Sequence, residues 1–330
     1  MYKRIIRRYF DCFVFLQSLL ALIGTGTESP PNANDSIDGK GVELIVLGVA
    51  QDAGFPQAAC KKNCCEAAWK DKTLRRNAAC LAIVDHDSGQ RWIFECTPDF
   101  PDQLHMLDQF ASPATDREQP GLDGIFLTHA HIGHYTGLIH LGREVIGANE
   151  VPVYAMPRMT MFLKNNGPWS QLVTLKNISL KPLEKNLAVQ LNDRISVTPF
   201  QVPHRDEFSE TVGFKIKGPT KTIVFLPDID KWHKWDQRIE ELILDCDVAW
   251  IDGTFFENGE IPGRDMSLIP HPFVTESVKR FASLEKEQRD KIRFIHFNHT
   301  NPVLQPESAA GKQIQRAGMH VAKEGETVGL

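Results

Sequence analysis

A cluster of three histidines constrains this chain more than any other feature. His129, His131 and His134 follow the apolar run 124–127, and apolar residues then resume at helical spacing. A short apolar run that ends in such a loop is typical of a buried strand, so the histidines are predicted on a strand-to-helix turn. Side chains two apart in an extended segment share one side, so His129 and His131 can bind one ion together. The spacing favours a metal site over solvated loop histidines.

Composition and charge narrow the function classes. The chain has 330 residues, of which 42% are hydrophobic and 24% charged, and this is typical of a globular protein with one large domain or two small ones. The formal net charge is -5, with no Lys/Arg cluster outside the N-terminus, so the sequence argues against a nucleic-acid-binding protein. The expected partner is a small-molecule substrate, and the oligomeric state is open. Scattered surface cations are ordinary, but four favour an anionic substrate: Arg143, Arg158, Arg205 and Lys231.

The first residues have the layout of a secretory signal. Four cations precede an apolar stretch over 9–23, and small residues follow at 24–27. The apolar stretch is too short for a stable membrane span. We therefore expect a signal peptide over 1–26, a polar linker over 27–41 and a single domain over 42–330. The expected location is periplasmic or extracellular, and it is cytoplasmic if the start of the chain is misassigned.

A tight cysteine cluster indicates a second metal site. The chain has seven cysteines, and removal of the signal would take Cys12 and leave six. Cys60, Cys64 and Cys65 are too close together for an ordinary disulfide framework. Three thiolates need a fourth ligand to form a closed tetrahedral zinc site. The alternative is a set of reduced cysteines packed under a loop.

The remaining chain alternates strands with helices. Helices are predicted after the histidine loop to residue 145, from Pro157, over 232–244, and from the segment 270–273. The predicted strands cover 42–49, 79–84, 91–96, 124–127, 151–155, 187–191, 195–202, 211–217, 222–226 and 246–251, and a last strand begins at 292 and delivers His296. This order favours an α/β fold in which helices cover two packed sheets.

The histidine loop resembles the signature of the metallo-β-lactamase superfamily, His-x-His-x-Asp-His. Gly133 stands where that signature has aspartate. Over 128–144 and 153–159 the chain resembles one branch more closely, the pyrroloquinoline quinone (PQQ) biosynthesis protein B family, which also has glycine there. The resemblance extends from about residue 42 to the C-terminus. It implies a four-layer αβ/βα sandwich.

The resemblance also implies the metal ligands. A first ion would be held by three histidines, with Asp228 shared between two ions and Asp230 as the alternative if the register differs. The implied active-site ligands are His129, His131, His134, His204, Asp228 and His296. The implied ligands of a structural zinc are Cys60, Cys64, Cys65 and His299. Asp99 is expected behind the metal loop. The family has a cluster of three cysteines, and the middle one has a different position in this chain.

Gly133 leaves the second ion without its own carboxylate, so that ion is expected to bind weakly or not at all. A single active-site ion, zinc or iron, would still lower the pKa of a bound water and supply hydroxide. Asp228 would act beside it, and His271 is a candidate acid or substrate contact.

Three functions remain open from the sequence. The first is a hydrolase that uses a metal-bound hydroxide on a small ester, lactone or phosphodiester. The second is a PQQ biosynthesis enzyme that uses the metal to oxidise a tyrosine-derived substrate; predicted export counts against it. The third is a non-catalytic protein that binds or carries a small molecule, and the intact ligand set counts against this one.

Overall fold

Two mixed β-sheets form the centre of the fold. The structure is a computed structural model that describes residues 41–113 and 118–330, so the predicted signal peptide and nearly all of the linker lie outside the described residues. The strands, in chain order, are β1 Val42–Gly48, β2 Cys80–Asp85, β3 Gln90–Phe94, β4 Gly124–Phe126, β5 Val151–Ala155, β6 Ile178–Pro182, β7 Val189–Gln190, β8 Ser196–Val202, β9 Thr211–Lys217, β10 Thr222–Leu226, β11 Val248–Asp252, β12 Ile292–Ile295, β13 His320–Val321 and β14 Thr327–Gly329.

Each sheet contains seven of the described strands. The first has the order β14-β1-β2-β3-β4-β5-β6, and the second has the order β13-β12-β11-β10-β9-β8-β7. Strands β1, β3 and β4 run in one direction, because β2 is antiparallel to both of its neighbours and β3 is parallel to β4. In the second sheet β8, β10, β11 and β12 also run in one direction. The ends of these strands supply the functional loops.

Helices cover the outer faces of the sheets. They are α1 Asn63–Lys70, α2 Phe100–Phe110, α3 Ile132–Tyr135, α4 Pro157–Asn165, α5 Trp169–Thr174, α6 Ile239–Leu244, α7 Val274–Phe281, α8 Lys286–Arg289 and α9 Ala309–Arg316. The predicted α/β sandwich is therefore confirmed. Among the described residues no helix is both long enough and apolar enough to span a membrane.

Alternation along the strands divides the core into layers. In β1, Leu44 and Val46 belong to the cluster shared with the second sheet, whereas Ile45 and Leu47 pack with residues of α2 and α4. A strand buried on both faces has a continuous apolar sequence, which explains the apolar character of β1.

The two sheets are joined at the edge where β1 and β12 end. Phe297 N donates a hydrogen bond to Val49 O at 2.8 Å, and Gln51 N donates one to Phe297 O at 2.8 Å. These bonds place the loop after β1 beside the loop after β12. The candidate site forms at this edge.

Several predicted elements differ from the structure. The helix predicted over 232–244 is a 3-10 turn, Trp232–Lys234, followed by α6. The backbone at Trp235 is extended, and its indole donates to Gln201 O, so the apolar spacing there reflects core packing rather than one helix. The helix predicted to residue 145 ends as a 3-10 segment, Thr136–Leu141. Strands β6, β13 and β14 were not predicted from the sequence.

Candidate metal centres

The first group of candidate ligands comes from three strand ends. His129 and His131 follow β4, His204 follows β8, and Asp228 follows β10; one ligand atom from each lies within 4.8 Å of the others. His129 Nε2 is 2.8 Å from His131 Nδ1 and 3.5 Å from Asp228 Oδ2. His204 Nε2 is 3.7 Å from Asp228 Oδ1. Three imidazole nitrogens and a carboxylate that converge in this way fit zinc or iron.

The opposite ring nitrogens of His129 and His131 contact other polar groups. His129 Nδ1 lies 2.8 Å from Thr128 Oγ1, and His131 Nε2 lies 3.3 Å from Glu207 Oε2. In metal sites the nitrogen that does not bind the ion is usually held in this way, and the contact fixes the orientation of the ring. The contacts therefore leave His129 Nε2 and His131 Nδ1 to face an ion.

A second group lies on the other side of Asp228. It consists of Asp52, His134 and His296, again with ligand atoms within 4.8 Å of one another. His134 Nε2 and His296 Nε2 lie 2.9 Å and 3.4 Å from Asp228 Oδ2. Both nitrogens are buried, and although both lie near Asp228, neither makes a hydrogen bond of suitable geometry with the described residues. Unsatisfied buried nitrogens are costly, and a bound cation would satisfy them.

Burial favours neutral imidazoles in this cluster. It lowers the pKa of His129 well below its ordinary value and lowers the pKa of His204 to about 4. His134 differs: burial alone would lower its pKa, but Glu95 and Asp228 raise it well above the ordinary value. Burial alone would raise the pKa of Asp228, but neighbouring imidazoles, His296 foremost, hold it well below the ordinary value. Asp228 is therefore a carboxylate at neutral pH.

His271 lies against the carboxylates at the base of the site. Its Nδ1 is 2.8 Å from Asp252 Oδ2 and 3.3 Å from Asp228 Oδ1. Burial would lower the pKa of His271, but Asp252 raises it above the ordinary value. Thr254 Oγ1 donates to Asp252 and also lies 2.9 Å from His296 Nδ1. The nearby carboxylates favour the protonated imidazole, so His271 is a candidate proton carrier.

The cysteine cluster and His299 also come together. Cys60 Sγ is 3.8 Å from Cys64 Sγ, and His299 Nδ1 lies 3.7 Å from Cys64 Sγ and 3.3 Å from Cys65 Sγ. A tetrahedral zinc with Zn–S bonds of about 2.3 Å requires sulfur pairs about 3.8 Å apart, and the observed spacing fits this value. Burial raises the pKa of the Cys65 thiol to about 12, so zinc binding would displace protons.

Other predicted residues have different surroundings. Asp230 forms an ion pair with Lys234 at 2.8 Å instead of facing the histidines. Asp99 accepts a hydrogen bond from Ala78 N at 2.7 Å, and so supports the chain near the site. Of the four cations, Lys231 is buried and paired with Glu276 at 2.9 Å. Three are exposed: Arg143 pairs with Glu144, Arg158 donates to Asp206 O, and Arg205 adds to the lowering of the pKa of His131 that burial causes.

Sequence reasoning missed two acidic residues at the site. Asp52 lies beside His134, at an Oδ1–Nε2 distance of 3.6 Å, and Glu95 Oε1 is 3.1 Å from His134 Nδ1. Each follows the apolar run of a strand, β1 or β3, that ends at the same edge as β4. Their position after such a strand was the sequence signal that could have identified both residues.

Comparisons with known proteins identify the family of this chain. The family model described as the beta-lactamase superfamily domain matches residues 90–297. The chain belongs to the beta-lactamase superfamily. This superfamily member is similar to coenzyme PQQ synthesis protein B of Methylorubrum extorquens, with 24% identity over 88% of this chain and 100% of the relative. It is also similar to coenzyme PQQ synthesis protein B of Gluconobacter oxydans, with 26% identity over 88% of this chain and 99% of the relative.

Solved structures share the beta-lactamase superfamily fold. Zn(2+)-bound PqqB from Methylobacterium extorquens aligns with a TM-score of 0.74 and 22% identity, over 87% of this chain and 100% of that one. A diphosphatase of the PhnP family aligns with a TM-score of 0.62 and 20% identity, over 88% of this chain and 97% of that one. These identities are low, so the structural likeness concerns the fold.

Proposed function

We propose that this chain is a metal-dependent hydrolase that acts on a small ester, lactone or phosphodiester. The observation that carries the proposal is the convergence of ligand atoms from His129, His131, His204 and Asp228 within 4.8 Å, at the loops that follow β4, β8 and β10. When an ion is bound there, it lowers the pKa of a water toward neutrality and supplies hydroxide. Hydrolases among the superfamily structures, such as the diphosphatase, support the proposal.

The protein residues would prepare this chemistry in two ways. Asp228 stays ionised because neighbouring imidazoles hold its pKa well below the ordinary value, so it can orient a water and attract a cation. His271 keeps a proton near the site because Asp252 raises its pKa. That proton is available for a leaving oxygen as its bond to the substrate breaks.

One cation beside the first group of ligands favours an anionic substrate, and a phosphodiester fits this better than a neutral ester or lactone. Arg205 is exposed and immediately follows His204, and its charge contributes to lowering the pKa of His131. A cation at this position would attract the substrate and stabilise charge that develops on it.

The test is hydrolysis of three chromogenic probes, a phosphodiester, a carboxylic ester and a lactone, by the zinc-loaded protein. We expect turnover on at least one probe, and a loss of at least about 100-fold in kcat/KM for His131→Ala and for Asp228→Asn. His105→Ala is the matched control, because His105 is an exposed residue of α2 that contacts Gln109. Turnover that survives His131→Ala, or no turnover on any probe, contradicts the proposal.

A second candidate function is oxidation in quinone-cofactor biosynthesis. It is favoured by the curated relatives, which are named coenzyme PQQ synthesis protein B and are matched along their full length. Three histidines and a carboxylate suit iron as well as zinc. Elemental analysis of protein purified without added metal separates the two functions: active-site zinc favours hydrolysis, and active-site iron with oxygen uptake on a tyrosine-derived substrate favours oxidation. If only the cysteine-bound ion is found, the protein is a binding protein instead.

A further inference from the structure

The space beside Gly133 is already filled by another residue. A Cβ at this position would lie 2.2 Å from Asp52 Cα and 2.5 Å from Asp52 Oδ1. The signature of the superfamily has an aspartate at position 133. In this chain a carboxylate from a different loop, the one after β1, stands where that side chain would begin.

The main chain fixes the position of Asp52. The preceding residue, Gln51, is paired with Phe297, one residue after His296, and Gln51 O accepts a hydrogen bond from Gly54 N at 3.0 Å in a tight turn. Asp52 has a φ of 37°, in the left-handed region that aspartate and asparagine tolerate better than most residues. The carboxylate is therefore presented by a turn that is joined directly to the segment carrying His296, which follows β12.

The carboxylate of Asp52 lies beside two buried imidazole nitrogens. Asp52 Oδ1 is 3.6 Å from His134 Nε2, and the ligand atoms of Asp52, His134 and His296 lie within 4.8 Å of one another. Both histidine side chains are 1% exposed, and apart from the nearby Asp228 carboxylate neither Nε2 atom has a hydrogen-bonding group to satisfy it among the described residues. The Asp52 side chain is 34% exposed, so solvent and an incoming ion can reach it.

We propose that Asp52 is the carboxylate ligand of a second active-site ion, held with His134 and His296 and sharing Asp228 with the first ion. Two imidazoles and one or two carboxylates suit a divalent ion such as zinc. Asp52 would therefore replace the aspartate that is missing at position 133. The sequence predicted that Gly133 would weaken the second ion site, but with Asp52 as a ligand this weakening is no longer expected. This proposal rests on the proposed function in one respect only, namely that the first ion is bound beside Asp228.

The test is zinc binding by the full-length protein, measured by elemental analysis and by titration against a competing chelator. Wild type should bind about three zinc ions per chain, and Asp52→Asn should bind the second active-site ion at least about tenfold more weakly. Asparagine is chosen because it tolerates the same backbone φ and removes only the charge. In cobalt-substituted protein, the thiolate-to-cobalt absorption of the cysteine site should remain, which shows that the variant is folded.

Glu207→Gln is the matched control for charge. Glu207 also contacts a histidine of the cluster, at 3.3 Å from His131 Nε2, but on the side of the first ion. It should leave the affinity of the second ion unchanged. If Asp52→Asn binds the second ion as tightly as wild type, or if both variants weaken it equally, Asp52 is not its ligand.

The outcomes for the two proposals are distinct. A protein that binds the second ion through Asp52 but hydrolyses no probe contradicts the proposed function alone. A protein that hydrolyses a probe, but whose affinity for the second ion is unchanged by Asp52→Asn, contradicts only the proposal about Asp52.

Discussion

Glu95 Oε1 lies 3.1 Å from Nδ1 of His134, and both side chains are fully buried. Glu95 has a φ of 81°, a conformation that non-glycine residues rarely adopt, and functional sites are where such backbone strain concentrates. Its carboxylate raises the pKa of His134, which burial alone would lower. The contact orients the ring so that Nε2 points toward Asp228.

Glu95→Gln should weaken the second active-site ion because it removes the charge behind the imidazole. Changing a partner of a ligand histidine typically costs about 10- to 100-fold in metal affinity, and we expect a loss in that range. The measurement is the same chelator competition, with the cysteine-bound zinc as the indicator of correct folding. Unchanged affinity in Glu95→Gln would contradict the prediction and show that Glu95 only fills space. If Glu95→Gln weakens the ion and Glu95→Asp restores the affinity, the charge of the carboxylate is the cause.

Gly133→Ala should destabilise the protein because the new methyl group meets backbone rather than a flexible side chain. The nearest atom would be Asp52 Cα at 2.2 Å, so the loop after β1 must move. Overpacking of this kind costs about 1–3 kcal/mol in the free energy of unfolding. The movement should also displace Asp52 and weaken the second ion.

The control for this substitution is Gly311→Ala. Gly311 is in α9, and an added Cβ there has no atom within 4 Å. Alanine should stabilise that helix by about 0.5–1 kcal/mol. Urea unfolding at a matched zinc concentration gives both values; equal effects at the two positions would show that the space beside Gly133 is free.

Cys60→Ser should remove about one zinc ion per chain and leave the active-site ions in place, since the cysteine cluster is a closed tetrahedral site of its own. The reason is that Cys60 Sγ lies 3.8 Å from Cys64 Sγ, a separation that suits two thiolates on one ion. Cys246→Ser is the matched control, because Cys246 is buried in the main core rather than in the cluster. Elemental analysis decides the matter: equal zinc contents in wild type and Cys60→Ser would contradict the cysteine site.

The sequence predicted those parts of the site that depend on short-range spacing. His129 and His131 are two residues apart in an extended segment, so they share one side whatever the rest of the chain does. The structure places both in one group with His204 and Asp228. Likewise, the bounds of β8 and β9 are close to the predicted ones, because turn residues mark the ends of both apolar runs.

Parts that depend on distant contacts could not be predicted in the same way. The role suggested here for Asp52 depends on the pairing of Gln51 with Phe297, almost 250 residues later, which no local pattern encodes. The break in the helix predicted over 232–244 depends on Trp235, whose indole donates to Gln201 O. Apolar spacing indicates that a residue is buried but does not say which partner buries it.

Glu324→Gln should remove a pH dependence of stability that is unrelated to the metal centres. Glu324 Oε1 accepts a hydrogen bond from Asn77 N at 2.5 Å, and burial raises the pKa of Glu324 from 4.5 to about 7. An acid with a raised pKa in the folded state stabilises the fold fully below its unfolded pKa, and this stabilisation is lost as the pH rises through the folded pKa. The loss should therefore occur between pH 4.5 and about 7 and amount to at most about 3 kcal/mol.

The measurement is the difference in the free energy of unfolding between Glu324→Gln and wild type across that range. Glutamine keeps an oxygen that can accept from Asn77 N but cannot ionise, so the variant should gain relative to wild type as the pH rises. Other titrating groups cancel in the difference, including Glu260, for which burial also raises the pKa to about 7. A difference that stays constant with pH would mean that Glu324 ionises in the folded protein as readily as in the unfolded chain.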